Sequence, residues 1–166
     1  MKKRYILAIL FGVLILVTAI LIFSFSSESG EKSGGRSDKV IDILANVFIR
    51  DYKNMSDAQK SEIIDKLAYP VRKGAHIVEY AILSAFVAVF VWVFTDKAYL
   101  TLTIPVACPF AYAMFDELVL QRATSGRSGK FEDALIDLIG IIIGVFLVYA
   151  FMRFYWRGKR RRKNEA

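Results

Sequence analysis

Cysteine and histidine are almost absent from this chain of 166 residues, which has one of each, Cys108 and His76. A lone cysteine cannot form a disulfide within the chain, and we expect Cys108 to be a small buried apolar residue rather than a reactive thiol. One histidine with several carboxylates could hold a divalent ion, but the sequence has no multi-His or Cys ligand motif. We therefore expect neither a metal nor a cofactor.

Several signatures of soluble enzymes and of repeat proteins are missing as well. The sequence has no G-x-S-x-G nucleophile elbow, no P-loop and no dinucleotide fingerprint. It also has no internal repeat, and no part of it indicates a second domain. Function must therefore be sought in dispersed polar residues rather than in a compact motif.

What the sequence does have is four long apolar runs. Hydrophobic residues make up 55% of the chain, whereas soluble domains average about 45–50% apolar residues. At a rise of 1.5 Å per residue, a helix of about 20 apolar residues crosses a hydrocarbon core roughly 30 Å thick. We predict an all-α polytopic membrane protein, a single domain over residues 1–166, with spans at about 5–25, 75–94, 98–115 and 134–152.

The orientation in the membrane follows from the basic residues. They occupy positions 2–4 and seven positions of the tail 153–166. By the positive-inside rule both termini are cytoplasmic, as is the short turn at 95–97. The first run is longer than a signal-peptide core and no small-x-small cleavage site follows it, which predicts a retained anchor of a multi-pass cell-membrane protein.

The net charge of +7 comes largely from these basic residues, so it indicates the orientation in the membrane. A nucleic-acid partner would need a basic binding surface, whereas these bases flank membrane spans. We expect membrane lipids as partners, with the tail touching anionic head groups, and no nucleic acid.

The loop between the first two spans is predicted to carry short amphipathic helices on the extracytoplasmic side. Its Gly/Ser-rich start, Glu28–Ser37, is typical of a mobile loop. Asp38 can cap a helix over 39–50, and a second helix starts near Ser56 and ends before Pro70. Both are too short to span, so they lie along the surface or cover the mouth between spans. Simple interfacial padding is the alternative.

The start of the second span carries the first candidate site residues. His76, Glu79 and Tyr80 share one helical face, and Lys73 lies one turn earlier on it. Ionisable groups beside a membrane span are a default indication of a functional site. The alternative is structural: Arg72 and Lys73 reach the lipid head groups while His76 and Glu79 pair with each other.

The end of the third span carries Asp116, Glu117 and, shortly after, Gln121. Adjacent acids on an α-helix point about 100° apart, so we expect at least one of the two to face the bundle. Arg127, in a glycine-containing loop, is the natural partner, because its guanidinium fits a carboxylate or a phosphate. A structural ion pair and a ligand clamp both remain open.

Asp133 and Asp137 open the fourth span on one face, which continues through Gly140 and Gly144. The two glycines form a small-residue stripe that allows another helix to approach closely. Asp137, about one turn into the span, needs a partner such as His76, Lys73 or a proton.

In this order, the pieces resemble the VanZ-like family of small bacterial membrane proteins, named for a teicoplanin-resistance accessory protein. The matching pieces are Phe25-Ser26-Ser27, Arg72-Lys73-x-x-His76-x-x-x-Tyr80-x-x-Leu83, Asp116-Glu117 with Gln121, Gly126-Arg127, and Asp133-x-x-x-Asp137-x-x-Gly140-x-x-x-Gly144. One spacing departs: the family usually reads Asp-Glu-x-x-Gln, whereas Gln121 follows Glu117 by four residues. The resemblance implies a cell-envelope protein linked to glycopeptide antibiotic susceptibility, and it implies no particular reaction.

We predict an accessory factor that binds a lipid-linked or anionic cell-wall component at the outer membrane face. The expected ligand-binding residues are Lys73, His76, Tyr80, Asp116, Gln121, Arg127, Asp133 and Asp137. The alternative is a membrane-embedded enzyme acting on a lipid-phosphate substrate. Its catalytic candidates are His76 as acid/base, with Glu79, Asp116, Glu117 and Asp133. An ion pathway or a purely structural role also remains open, and the chain could form oligomers.

Overall fold

The computed structural model describes residues 2–95 and 97–164, and all regular structure within those ranges is helical. Five α-helices follow one another: α1 (Lys2–Ser26), α2 (Gly30–Phe48), α3 (Asp57–Phe94), α4 (Ala98–Phe115) and α5 (Phe131–Asn164). A short 3₁₀ helix, Tyr52–Asn54, precedes α3, and a π-helix, Asp116–Gln121, continues α4. Asp96, in the middle of the predicted inner turn, and the last two residues of the predicted tail lie outside the described residues.

Four of these helices are long and apolar enough to cross a membrane, over Lys2–Ser26, Asp57–Phe94, Tyr99–Gln121 and Phe131–Phe154. This confirms the predicted all-α, four-span architecture. Large apolar side chains such as Leu16 and Phe146 point away from the bundle, where lipid tails take the place of water. Cys108 also lies on this outer surface, so the prediction of a buried thiol was wrong. A cysteine side chain is apolar enough to face lipid, so it does not have to be buried inside the protein.

The first loop helix begins earlier than predicted. It starts at Gly30 rather than at Lys39, because the Ser29 hydroxyl accepts a hydrogen bond from the Lys32 backbone N–H and caps the helix there. Ile41 and Ala45 are buried, which anchors the helix despite its two internal glycines. The stretch predicted as a mobile loop, Glu28–Ser37, is thus mostly helical.

The second loop helix does not end at Pro70. Ser56 and Gln59 form a capping box at its start, as the sequence indicated, but the helix then runs unbroken from Asp57 to Phe94. A proline removes one backbone hydrogen bond without necessarily ending a helix. At 1.5 Å per residue α3 is roughly 57 Å long, so a large part of it extends beyond the hydrocarbon core.

Helix α5 packs closely against α3 at the predicted glycine stripe. A Cβ atom on Gly140 would collide with the Ile77 carbonyl oxygen, and one on Gly144 with the Ala81 carbonyl oxygen. The Ser84 hydroxyl also donates to the Ile141 carbonyl oxygen at 3.0 Å. The stripe therefore does bring the two backbones together, and it aligns the polar start of α5 with the middle of α3.

Candidate functional site

Four segments meet at one end of the bundle and contribute polar side chains to one cluster. They are the end of α1, the middle of α3, the π-helix and the start of α5. Asp116, Glu117 and Asp137 are fully buried, and Lys73 and His76 are less than one-tenth exposed. Buried charge is costly unless it is paired, so the contacts within this cluster determine what it can do.

Lys73 and His76 of α3 face three carboxylates. Lys73 Nζ lies 2.8 Å from Asp133 Oδ1 and 3.7 Å from Glu117 Oε1. His76 Nδ1 lies 3.4 Å from Asp137 Oδ1 and 3.9 Å from Glu117 Oε1. Among the partners expected for Asp137, the nearest described side chain is thus His76, while Lys73 belongs to Asp133.

The π-helix brings both adjacent acids into the bundle. Its wider turn is equivalent to one extra residue in an α-helix, which matches the extra residue between Glu117 and Gln121. Gln121 Nε2 donates to Glu117 Oε1 at 2.8 Å and to Asp116 Oδ2 at 3.2 Å. The π-helix therefore accommodates the extra residue between Glu117 and Gln121, and Gln121 remains in contact with both acids.

Arg127 joins the cluster through neutral groups rather than through a carboxylate. Its guanidinium donates to Gln121 Oε1 at 3.1 Å and to the Phe25 carbonyl oxygen at 2.9 Å. The preceding residue, Gly126, has a φ of 72°, a conformation that favours glycine. Burial, and then the nearby charge of Arg72, lower the pKa of Arg127, but an arginine remains charged in proteins. Its positive charge is held at the cluster without a direct anionic partner among these hydrogen bonds.

Ser26 is a member of the cluster that sequence reasoning did not select. Its hydroxyl donates to Asp116 Oδ2 at 2.9 Å, and the residue is buried. A serine at the end of an otherwise apolar span was the available signal, and it was noted only as part of the family pattern.

Two predicted residues on α3 lie apart from these contacts. Tyr80 is fully buried in the hydrophobic core with Ile22 and Leu83, and its ring centroid lies 6.3 Å from that of Tyr112. Glu79 is half-buried and faces a groove between α2 and α3. Glu79 thus shares the groove with His76 but makes none of the contacts of the cluster described above, and Tyr80 belongs to the core.

Two cavities open beside the cluster. The polar cavity, about 310 Å³, is lined by Arg72, Lys73, His76, Gln121, Arg127 and Lys130, among others. The apolar groove, about 500 Å³, exposes mostly apolar surface from residues such as Val40, Leu44, Val71 and Val78 of α2 and α3, but charged side chains, among them Arg36 and Glu79, line it as well. Arg72, His76 and Arg127 line both. Arg72 and Lys130 were not predicted as site residues, because basic residues beside a span are also explained by lipid head groups.

Several buried atoms of the cluster have no hydrogen-bond partner among the described residues. They are His76 Nδ1, Asp116 Oδ1, Glu117 Oε2 and both carboxylate oxygens of Asp137. One potential ligand atom each from His76, Glu117 and Asp137 lies within 4.8 Å of the other two. These three residues could hold a cation, a possibility that the sequence left open without a motif to support it.

Comparison with known proteins places the chain by its sequence. The family model described as VanZ/LLP1 matches residues 11–153. No curated protein and no solved structure matches. The matched region contains all four spans in whole or in large part and every residue of the cluster. The chain therefore belongs to the VanZ/LLP1 family.

Proposed function

We propose that this membrane protein binds an amphipathic component of the cell envelope, a lipid-linked molecule with an anionic group, at the outer membrane face. The observation that carries the proposal is the pair of adjoining cavities, one polar and one apolar, which share Arg72, His76 and Arg127. A ligand with a charged head and a hydrocarbon chain would fill both.

The polar cavity is suited to a phosphate or a carboxylate. Of its four lysine and arginine side chains, Lys73 is paired with Asp133. Arg72, Arg127 and Lys130 are thus the cations to which an incoming anion would be drawn. Arginine presents parallel N–H donors that match phosphate oxygens. Arg127 is already oriented by Gln121 and by the Phe25 carbonyl oxygen, so little ordering would accompany binding.

The apolar groove is suited to a lipid chain. Most of its exposed surface is apolar, and Val40 and Leu44 of α2 line it together with Val71 and Val78 of α3. The outer location rests on the basic residues at both chain ends, which favour cytoplasmic termini. With cytoplasmic termini, the ends of α1 and α4 would lie outside. An effect on teicoplanin susceptibility would follow if the ligand belongs to cell-wall synthesis, as the family resemblance suggests.

A membrane-embedded enzyme is the second candidate, and one observation favours it. His76 lines both cavities, and its Nδ1 lies 3.4 Å from the buried Asp137 carboxylate. An imidazole with a carboxylate beside it is a recurrent arrangement for general acid/base catalysis, and the contact would have to become a hydrogen bond for Asp137 to orient the ring. In this reading His76 takes a proton from the attacking group, and Arg127 holds the phosphate of a lipid substrate.

Lipid capture by the purified chain tests the proposal. The protein would be reconstituted in nanodiscs of neutral lipid containing a small fraction of phosphatidic acid, and bound lipid counted by native mass spectrometry. We expect Arg127→Gln to lose selective retention of the anionic lipid, while Arg50→Gln, a 98% exposed arginine side chain, retains it. Equal retention by both variants would contradict the proposal.

The histidine separates the two candidates. A binding function predicts that the wild-type protein returns the anionic lipid chemically unchanged, whatever the affinity of His76→Ala. Dephosphorylated or transferred product that forms with the wild type and not with His76→Ala would establish the enzyme instead. The same two variants can be tested for rescue of envelope phenotypes in cells that lack the protein.

A further inference from the structure

We propose that His76, Glu117 and Asp137 form a binding site for a divalent transition-metal ion, Zn²⁺ or Mn²⁺, at the wall of the polar cavity. The three residues come from α3, the π-helix and α5. The site therefore forms only when these three segments pack together, and no local sequence motif indicates it.

The distances within the triad suit a small divalent ion. His76 Nδ1 lies 3.4 Å from Asp137 Oδ1 and 3.9 Å from Glu117 Oε1, and one ligand atom from each of the three residues lies within 4.8 Å of the other two. Bond lengths of 2.0–2.2 Å in a tetrahedral site place the ligand atoms about 3.3–3.6 Å apart. Small side-chain rotations are enough to bring the triad into that range.

Unpaired buried atoms are the independent observation that points to an ion. Asp137 is fully buried, yet neither of its oxygens has a hydrogen-bond partner among the described residues. The same holds for His76 Nδ1 and for Glu117 Oε2, in residues that are at least nine-tenths buried. Buried polar atoms are normally satisfied, and a metal ion would satisfy this set together.

The charge of the cluster leads to the same ion class. Four carboxylates (Asp116, Glu117, Asp133 and Asp137) lie in the cluster, and among the described lysine and arginine side chains only Lys73 forms ion pairs with them, to Glu117 and Asp133. A carboxylate there either takes up a proton or needs a cation beside it, because uncompensated charge is costly in this place. A divalent ion held by Glu117 and Asp137 would supply that cation.

The ligand types narrow the choice of metal. Imidazole nitrogen suits zinc and other transition metals, while carboxylate oxygen also suits manganese. Three protein ligands leave a coordination position open, as in catalytic rather than structural zinc sites. Because His76 also lines the polar cavity, that position could take an anionic oxygen of the ligand. This last clause alone rests on the proposed function.

Metal content and metal affinity test the inference without any assay of lipid. The full-length protein, purified in detergent without chelators or metal-affinity resin, would be analysed by plasma mass spectrometry. It would then be stripped with EDTA and titrated calorimetrically with ZnCl₂, MnCl₂, MgCl₂ and CaCl₂. We expect about one Zn²⁺ or Mn²⁺ per chain and much weaker binding of Mg²⁺ and Ca²⁺.

The variants make the assignment specific. Loss of a supporting residue typically costs 10–100-fold in metal affinity, so Asp137→Asn should cost about 100-fold or more. Glu132→Gln, an acid that lines the same cavity outside the triad, should bind as the wild type does. If Asp137→Asn does not fold, His76→Gln serves in its place. Wild-type protein that binds neither Zn²⁺ nor Mn²⁺, or triad variants that bind with unchanged affinity, would overturn the inference, whatever the outcome of the lipid experiment.

Discussion

Lys73 and Asp133 form an ion pair of 2.8 Å between Nζ and Oδ1 that joins the middle of α3 to the start of α5. Both residues are less than one-tenth exposed. The pair extends the glycine-stripe contact between the same two helices to the end of the bundle. It also fixes the ammonium group beside Glu117, so it links helix packing to the geometry of the cluster.

Removal of the ammonium group should destabilise the fold. In Lys73→Met the Asp133 carboxylate is left nearly buried and unpaired, and loss of one partner of a buried pair costs roughly 3–5 kcal/mol. Replacing both partners, Lys73→Met with Asp133→Leu, should restore part of the stability, because apolar pairs of similar size often replace buried ion pairs, while Glu117 still lacks the neighbouring ammonium group. Thermal unfolding in a fixed detergent measures both effects.

The matched control lies on the same helix. Lys66 and Glu62 form an exposed pair at 2.6 Å, and exposed pairs contribute only about 0–1 kcal/mol. Lys66→Met should therefore unfold at about the same temperature as the wild type. If Lys73→Met and Lys66→Met behaved alike, burial of the Lys73 pair would not matter to stability.

The π-helix makes an unusual prediction about a deletion. Val119 lies between the acids and Gln121 and is more than half exposed. Without it, the segment can close into a regular α-helix that has the Asp-Glu-x-x-Gln spacing of the family resemblance. Gln121 would still reach both acids, so we expect ΔVal119 to fold and to retain binding of lipid and metal.

Deletion of a residue in the regular part of α4 is the comparison. Removal of Ala107 turns everything after it by about 100°, which should take Asp116 and Glu117 out of the bundle and abolish both binding activities. Folding would be followed by gel filtration and thermal unfolding, and binding by the assays described above. A ΔVal119 protein as defective as ΔAla107 would show that the π-helix is required in itself.

The predicted orientation can be measured by cysteine labelling. In a chain with Cys108→Ala, Ser128→Cys in the loop beside Arg127 should react with a membrane-impermeant maleimide in intact cells. Lys97→Cys, in the turn at the opposite end of the spans, should react only after permeabilisation. Both positions are exposed, so access through the membrane decides the result. The reverse pattern would place the cluster on the cytoplasmic side.

The parts of the fold that follow local rules were predictable from the sequence. The apolar runs predicted the four spans, and a helix start was predicted near Ser56. The glycine stripe predicted a close helix contact on neighbouring residues alone, but it did not predict that α3 would be the partner.

The parts that depend on contacts between distant segments were not predictable. The π-helix contains one residue more than a regular α-helical turn would hold. A sequence pattern with a period of 3.6 residues therefore cannot predict it. The continuation of α3 through Pro70 goes against the local preference for a break at proline, whereas the early start of α2 follows from a local signal, the Ser29 cap, that the sequence analysis did not use. The hydrogen bond from Ser26 to Asp116 joins residues 90 positions apart, and no spacing rule reaches that far.

The unbroken course of α3 limits how related chains can vary in length. Between Asp57 and His76 every residue belongs to one helix. Each residue gained or lost there would rotate the part of the helix before the change by about 100° relative to His76. The link between α2 and α3, residues 49–56, contains only a short 3₁₀ turn. A residue gained or lost in this link would leave the direction of the side chains on α3 unchanged. Evolution of this family should therefore leave length differences in the link and a constant count from the Ser56 cap to the histidine.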